Sequence, residues 1–81
     1  MPYIPNERRL AIDGGESPKN SGELNYAITK LMHRYLVTGA GKINYQRYND
    51  IVGAVEGAKL ELYRKLISPY EESAIKRNGD I

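Results

Sequence analysis

Apolar residues recur three and four positions apart in two long segments of this chain. Such spacing places apolar side chains on one face of an α-helix. The pattern predicts an all-α fold, in which a helical hairpin has its first helix from Ser21 to Val37 and its second from Tyr45 to Ile67. The glycine-rich segment from Thr38 to Lys42 joins the two helices, and Gly39 is expected to end the first.

The first predicted helix separates apolar from polar residues. Asn20 or Ser21 opens it, and Glu23, three positions after Asn20, gives an approximate capping box. One face is apolar and is expected to form the core with the second helix: Leu24, Ala27, Ile28, Leu31 and Tyr35. The other side is polar and largely basic: Glu23, Tyr26, Lys30, His33 and Arg34.

A proline limits the second predicted helix. The residue before Pro69 is biased away from helical backbone angles, and Ser68 to Glu71 form a capping-box pattern with proline at the first helical position. We therefore predict a short C-terminal helix from Pro69 to Arg77, closed by Asn78 and Gly79. The alternative is a kinked continuation of the second helix.

The first twenty residues show no helical period and contain three prolines and two glycines. We predict an N-terminal arm over residues 1–20 and a helical hairpin domain over residues 21–81. Within the arm, Arg9 to Asp13 are expected to form a short extended segment that lies across the helices. A turn should follow at Asp13, Gly14 and Gly15. The alternative is a disordered tail.

The second predicted helix has more distinct faces than one neighbouring helix can cover. Its main apolar face should meet the first helix and consists of Tyr48, Ile51, Val55, Ala58, Leu62 and Leu66. Gly53, Gly57 and Leu60 form a small-residue face. Each glycine costs about 1 kcal/mol in a helix relative to alanine, so close approach of another backbone is expected there.

We predict that this small-residue face is the contact of a homodimer, in which two hairpins form a four-helix bundle. Coverage of the face by the N-terminal arm or the C-terminal helix of the same chain is the alternative. An 81-residue chain without cysteine has neither a large core nor disulfides to stabilise it, which also favours a partner.

A line of mostly polar residues, here called the polar seam, runs along the second helix next to its main apolar face: Tyr45, Asn49, Glu56, Lys59 and Tyr63. If the seam is exposed, Glu56 and Lys59 form an ordinary surface pair, which contributes little. If it is buried, the charges must be compensated within a network that fixes helix register or holds a ligand.

Composition and charge exclude several classes of protein. The formal net charge of +2 is too small to indicate a nucleic-acid-binding protein by itself. The N-terminus becomes polar at Asn6, before a signal peptide could develop, and no stretch approaches the ~18 apolar residues of a membrane span. We expect a soluble, cytoplasmic protein without membrane contact.

No motif predicts catalysis, a cofactor or a metal. The segment before Lys42 departs from a phosphate-binding loop, since Leu36 and Ile43 occupy positions that require glycine and serine or threonine. A single histidine, His33, excludes a site built from several histidines. The function is therefore not determined, and a non-enzymatic self-associating interaction domain is the leading interpretation.

Two alternatives stay open. A nucleic-acid-associated accessory protein is suggested by basic residues near the hairpin turn, with Tyr26 and Tyr45 as stacking surfaces; those basic residues are Lys30, His33, Arg34, Lys42 and Arg47. A divalent-metal site for a small ligand, with Mg²⁺ or Mn²⁺, requires convergence of five polar residues: Glu23, Asn25, Asn49, Asp50 and Glu56.

Several short blocks resemble a family of small uncharacterised proteins from bacteria, archaea and phages, classed as a domain of unknown function. The blocks are residues 1–4, 8–9, 22–29, 49–56, 59–64, 69–71 and 78–80. The resemblance spans nearly the whole chain. It implies a compact helical domain and supplies no catalytic residues, but it draws attention to the polar members of the blocks, among them Glu23, Asn25 and Asp50.

Overall fold

The computed structural model describes residues 4–38 and 42–79. Helices account for most of these residues, and no strand occurs among them. This confirms the all-α prediction. The elements in chain order are α1 (Asn6–Asp13), α2 (Ser21–Thr38), α3 (Tyr45–Leu62), a π-helical segment (Tyr63–Ile67) and α4 (Ser68–Asn78).

The two long helices of the predicted hairpin are confirmed as α2 and α3. The expected helix stop at Gly39 and the centre of the glycine-rich link lie outside the described residues. The chain divides into two compact units, which are Met1–Asn44 and Tyr45–Ile81. The first unit contains α1 and α2, and the second contains α3, the π-helical segment and α4.

Helix α2 begins where the sequence predicts. The Asn20 Oδ1 atom accepts a hydrogen bond from the Glu23 backbone N–H at 2.9 Å, which satisfies one of the free N–H groups of the first turn. In a capping box the glutamate would accept from the backbone N–H of Asn20. Here the Glu23 Oε1 atom instead accepts from the backbone N–H of Lys19 at 3.1 Å.

The predicted extended segment from Arg9 to Asp13 is wrong, because these residues belong to α1. Pro5 immediately precedes the helix, and its carbonyl oxygen accepts hydrogen bonds from the backbone N–H groups of Arg8 and Arg9 at 3.0 and 3.1 Å. At the start of a helix a proline loses no intrahelical bond, and its fixed φ angle suits the entry of the chain. The proline therefore initiates a helix here.

The predicted turn after Asp13 is confirmed. The backbone N–H of Gly14 donates to the Leu10 carbonyl at 3.0 Å, and that of Gly15 donates to the Ile12 carbonyl at 3.0 Å. Gly15 has a φ angle of 107°, in the region that side chains disfavour. Glycine at this position lets the chain leave α1 and turn toward α2.

The C-terminal helix is present as α4, but it is continuous with α3. Ile67 and Ser68 both have helical backbone angles, and no side chain caps α4. The backbone N–H of Ser68 donates to the Tyr63 carbonyl, five residues earlier, as in a π-helix. The structure thus follows the alternative of a continued helix. In a regular α-helix the ring of Pro69 would clash with the carbonyl group four residues earlier. The wider π-helical turn before Pro69 avoids this clash.

Burial is concentrated between α1 and α2. Among the described residues, the buried side chains are Ile4, Glu23 and Tyr26. Both α2 residues in this set come from the side of the helix that the sequence assigned as polar. The predicted core face of α2 is partly open, with Leu24 51% exposed, Ile28 39% and Leu31 61%. Helix α1 therefore packs on the polar side of α2 and not on its apolar face.

Replacement of Asn20 by alanine is expected to lower the free energy of unfolding by about 1 kcal/mol, because the Glu23 N–H would lose its acceptor. Asn20→Ser, which keeps a capping oxygen, should lie close to the wild type. Urea denaturation of the three proteins measures the difference. Equal stability of the alanine variant and the wild type would show that the cap contributes nothing.

Candidate functional site

An extensive polar contact joins α1 to the first turn of α2. The Arg8 guanidinium binds the Glu23 carboxylate with two parallel hydrogen bonds, from Nε to Oε2 at 2.9 Å and from Nη2 to Oε1 at 2.8 Å. This bidentate arrangement is the strongest geometry available to an arginine and a carboxylate. The Glu23 side chain is only 7% exposed, and that of Arg8 is 22% exposed.

Two residues of the segment between the helices complete this contact. The third guanidinium nitrogen of Arg8, Nη1, donates to Glu16 Oε1 at 3.2 Å. Lys19 contributes its backbone N–H to Glu23, and its Nζ atom lies 3.9 Å from Glu16 Oε1. We call Arg8, Glu16, Lys19 and Glu23 the Arg8 cluster. Its two positive and two negative side chains balance, so the partly buried group carries no net charge.

The cluster shifts the pKa values of both Arg8 and Glu23. The hydrogen bonds from Arg8 hold the pKa of the Glu23 carboxyl at about 2, against an ordinary value of 4.5, although burial opposes this shift. The same hydrogen bonds raise the pKa of Arg8. Both groups are therefore ionised at neutral pH, and the contact is an ion pair.

A second polar contact holds the other end of α1. The Tyr26 hydroxyl donates to the Asp13 carboxylate, with both Oδ atoms at 3.0 Å. Burial raises the pKa of the Tyr26 hydroxyl, and the neighbouring Asp13 carboxylate raises it further. The Lys30 Nζ atom lies 5.9 Å from the centre of the Tyr26 ring, within the range of a cation–π contact. Helix α1 is thus held near its start by Arg8 and at its last residue by Asp13.

The chemistry of these contacts is structural. Every ionised group in the Arg8 cluster is engaged by an opposite charge, and the Tyr26 hydroxyl is already a donor to a carboxylate. The parts of the chain that the structure describes contain no group of three or more histidine, aspartate, glutamate or cysteine residues that could hold a metal ion. The arrangement can fasten one helix to another with a defined orientation.

The polar seam lies on an exposed face of α3 and the start of the π-helical segment. Glu56 and Lys59 form a pair at 3.2 Å with both side chains more than half exposed, as the surface interpretation of the seam expects. Tyr45 is 83% exposed, and Asn49 is also exposed. The Tyr63 hydroxyl donates to Glu71 Oε1 of α4 at 3.3 Å.

The small-residue face of α3 is open. Leu60 is 58% exposed, and no heavy atom of the described residues lies within 4 Å of a Cβ built on Gly53 or Gly57, apart from those of the helix itself and chain neighbours. The two glycines therefore have room for a side chain, and no close contact within the described chain explains them.

Three of the polar residues to which the family resemblance draws attention, Glu23, Asn25 and Asp50, each accept hydrogen bonds within their own unit. Glu23 belongs to the Arg8 cluster. The Asn25 carbonyl oxygens, of the backbone and the side chain, accept hydrogen bonds from the Thr29 hydroxyl at 2.8 and 3.3 Å. Asp50 Oδ1 accepts from the Gln46 side chain at 2.7 Å. These hydrogen bonds of Asn25 and Asp50 each lie within about one turn of the residue's own helix.

Burial of Tyr26 changes the interpretation of the basic residues on α2. The ring was expected to offer a stacking surface for nucleic acid, but α1 covers it to 9% exposure. Lys30 lies over that same covered ring. Tyr26 is consequently unavailable for base stacking while α1 is docked.

The contribution of Glu23 to stability should depend on pH. Since its pKa is lowered on folding, the stabilisation is complete above the ordinary value of 4.5 and is lost as the pH falls toward about 2. We expect the melting temperature of the wild type to exceed that of Glu23→Gln at pH 7. The difference between the two melting temperatures should shrink as the pH falls from 4.5 to 2. A thermal melt followed by circular dichroism at each pH measures this.

Glu56→Gln is the matched control, because it removes one carboxylate from an exposed pair. Its melting temperature should stay close to that of the wild type across the same range. A constant gap between wild type and Glu23→Gln down to pH 2 would contradict the assigned role of the Glu23 charge.

Comparison with known proteins gives a match to a family model but none to a curated protein or a solved structure. In the described part of the chain, no helix combines the length and apolar character that crossing a membrane requires. A family model matches residues 1–81, and the chain therefore belongs to the family described as a domain of unknown function (DUF6899).

Proposed function

We propose that this chain is a non-enzymatic helical interaction domain that functions by self-association. The observation that carries the proposal is the exposure of the apolar face of α2, where Leu24 and Leu31 are each more than half exposed. Helix α1 covers the opposite, polar side. An apolar face of this kind is typical of a surface that is buried on assembly.

The size of the chain supports the same conclusion. Complete burial of one leucine or isoleucine side chain contributes about 1.5–3 kcal/mol, and small folded domains are only marginally stable. Ile4 and Tyr26 are the buried apolar side chains among the described residues. Burial of the α2 face in an assembly would therefore add a substantial part of the folding free energy, and a second copy provides the required apolar surface.

We place the dimer contact on the small-residue face of α3, formed by Gly53, Gly57 and Leu60. The free space beside both glycines is what a closely approaching helix backbone requires. In a four-helix bundle of two chains, this face would meet its own copy across a two-fold axis, while the apolar faces form the interior. The polar seam borders the same contact and would supply its polar rim, with the Glu56–Lys59 pair favouring one register.

The test uses two substitutions of Gly57. Gly57→Leu places a bulky side chain in the proposed contact and should abolish dimer formation. Gly57→Ala should stabilise the isolated helix by about 1 kcal/mol while raising the dimer dissociation constant by about tenfold, because its methyl group separates the two backbones. Sedimentation velocity over a concentration series, combined with urea denaturation, measures both quantities.

Two results of these measurements would contradict the proposed self-association. A wild-type protein that sediments as a stable monomer at tens of micromolar would overturn the proposal. So would a Gly57→Ala variant that gains stability without any change in its association, because the glycine would then have no role in a close contact between chains.

A further inference from the structure

We propose that α1 is an order–disorder latch, which is helical only while the Arg8 cluster holds it on α2 and unfolds as a unit when that contact is lost. The inference concerns a conformational change within one chain and is independent of self-association. Its two states are a docked helix over Asn6–Asp13 and an undocked, unfolded segment.

The first step is that α1 does not sustain itself. It has eight residues, whereas isolated helices shorter than ~12–15 residues are marginal in water. No side chain forms a hydrogen bond at its N-cap, and its last turn contains no basic residue to interact with the helix dipole. Leu10 is 68% exposed, so its side chain adds little docking energy. The helical state of α1 therefore depends on its contacts with α2.

The second step is that α2 does not depend on α1. It has eighteen residues and its own N-terminal cap, since Asn20 accepts from the Glu23 N–H without any contribution from α1. Loss of α1 leaves this cap and the backbone ladder of α2 in place. The two helices can thus have different opening free energies, as expected for separate cooperative units.

The third step is that polar groups fix both ends of α1 on α2, in addition to the burial of Ile4 and the Tyr26 ring. Arg8 alone uses three nitrogens to bind Glu23 and Glu16, and Asp13 accepts from Tyr26 at the other end. Removal of the guanidinium leaves the nearly buried Glu23 carboxylate without its main partner, which strongly disfavours the docked state. Release of α1 uncovers Glu23 and Tyr26 together.

Amide hydrogen exchange measured by NMR on Arg8→Gln tests the latch. We expect exchange protection of the amides from Leu10 to Asp13 to fall by at least about tenfold. The amides from Ala27 to Leu36 in α2 should change by less than about twofold. Arg64→Gln is the matched control, because Arg64 binds Glu61 in an exposed pair and its loss should leave α1 protected.

Arg8→Lys provides a second variant that keeps the charge but loses the bidentate geometry, and its α1 protection should fall between those of the wild type and Arg8→Gln. Unchanged protection of α1 in Arg8→Gln would overturn the proposal, since Arg8 would not hold the helix. Equal loss of protection in α1 and α2 would also overturn it, because the two helices would then unfold as one unit.

Discussion

The ion pair between Arg8 and Glu23 determines how the first unit of this protein is built. Glu23 lies in the first turn of α2 with its side chain almost completely removed from water. A carboxylate in such a position must have an opposite charge and satisfied hydrogen bonds, because an unpaired buried charge is strongly unfavourable. Arg8 meets both requirements. Because Arg8 lies in α1, the ion pair fixes the start of α1 next to the first turn of α2.

The orientation of this contact explains the unusual distribution of apolar surface. Helix α1 approaches the side of α2 that contains Glu23 and Tyr26, where polar partners are available. Helix α1 does not cover the apolar face on the other side of α2, where Leu24 and Leu31 are more than half exposed. In the proposed self-association, burial of these apolar residues would stabilise the complex more than the isolated chain.

The sequence predicted the structural features that depend on residues close together in the chain. The sustained spacing of apolar residues by three and four positions identified both α2 and α3. Asn20 marked the start of α2 because a cap acts within one turn. The Arg8–Glu23 pair was not predicted, since its members are fifteen positions apart and no periodic pattern connects them. Helix α1 was missed for a related reason. Eight residues after Pro5 are too few to show a clear period, and proline was interpreted as a breaker at a position where it begins a helix.

The continuous helix from α3 to α4 limits the extent of the proposed contact between two chains. Hydrogen bonds that reach five residues back widen the turn at Tyr63–Ile67, so side chains of α4 do not continue the faces of α3 in phase. The polar seam ends at this segment, where Tyr63 donates to Glu71 of α4. The small-residue face ends before it, at Leu60. Any regular helix–helix contact on that face is therefore confined to α3, which contains both glycines of the proposed dimer contact, Gly53 and Gly57.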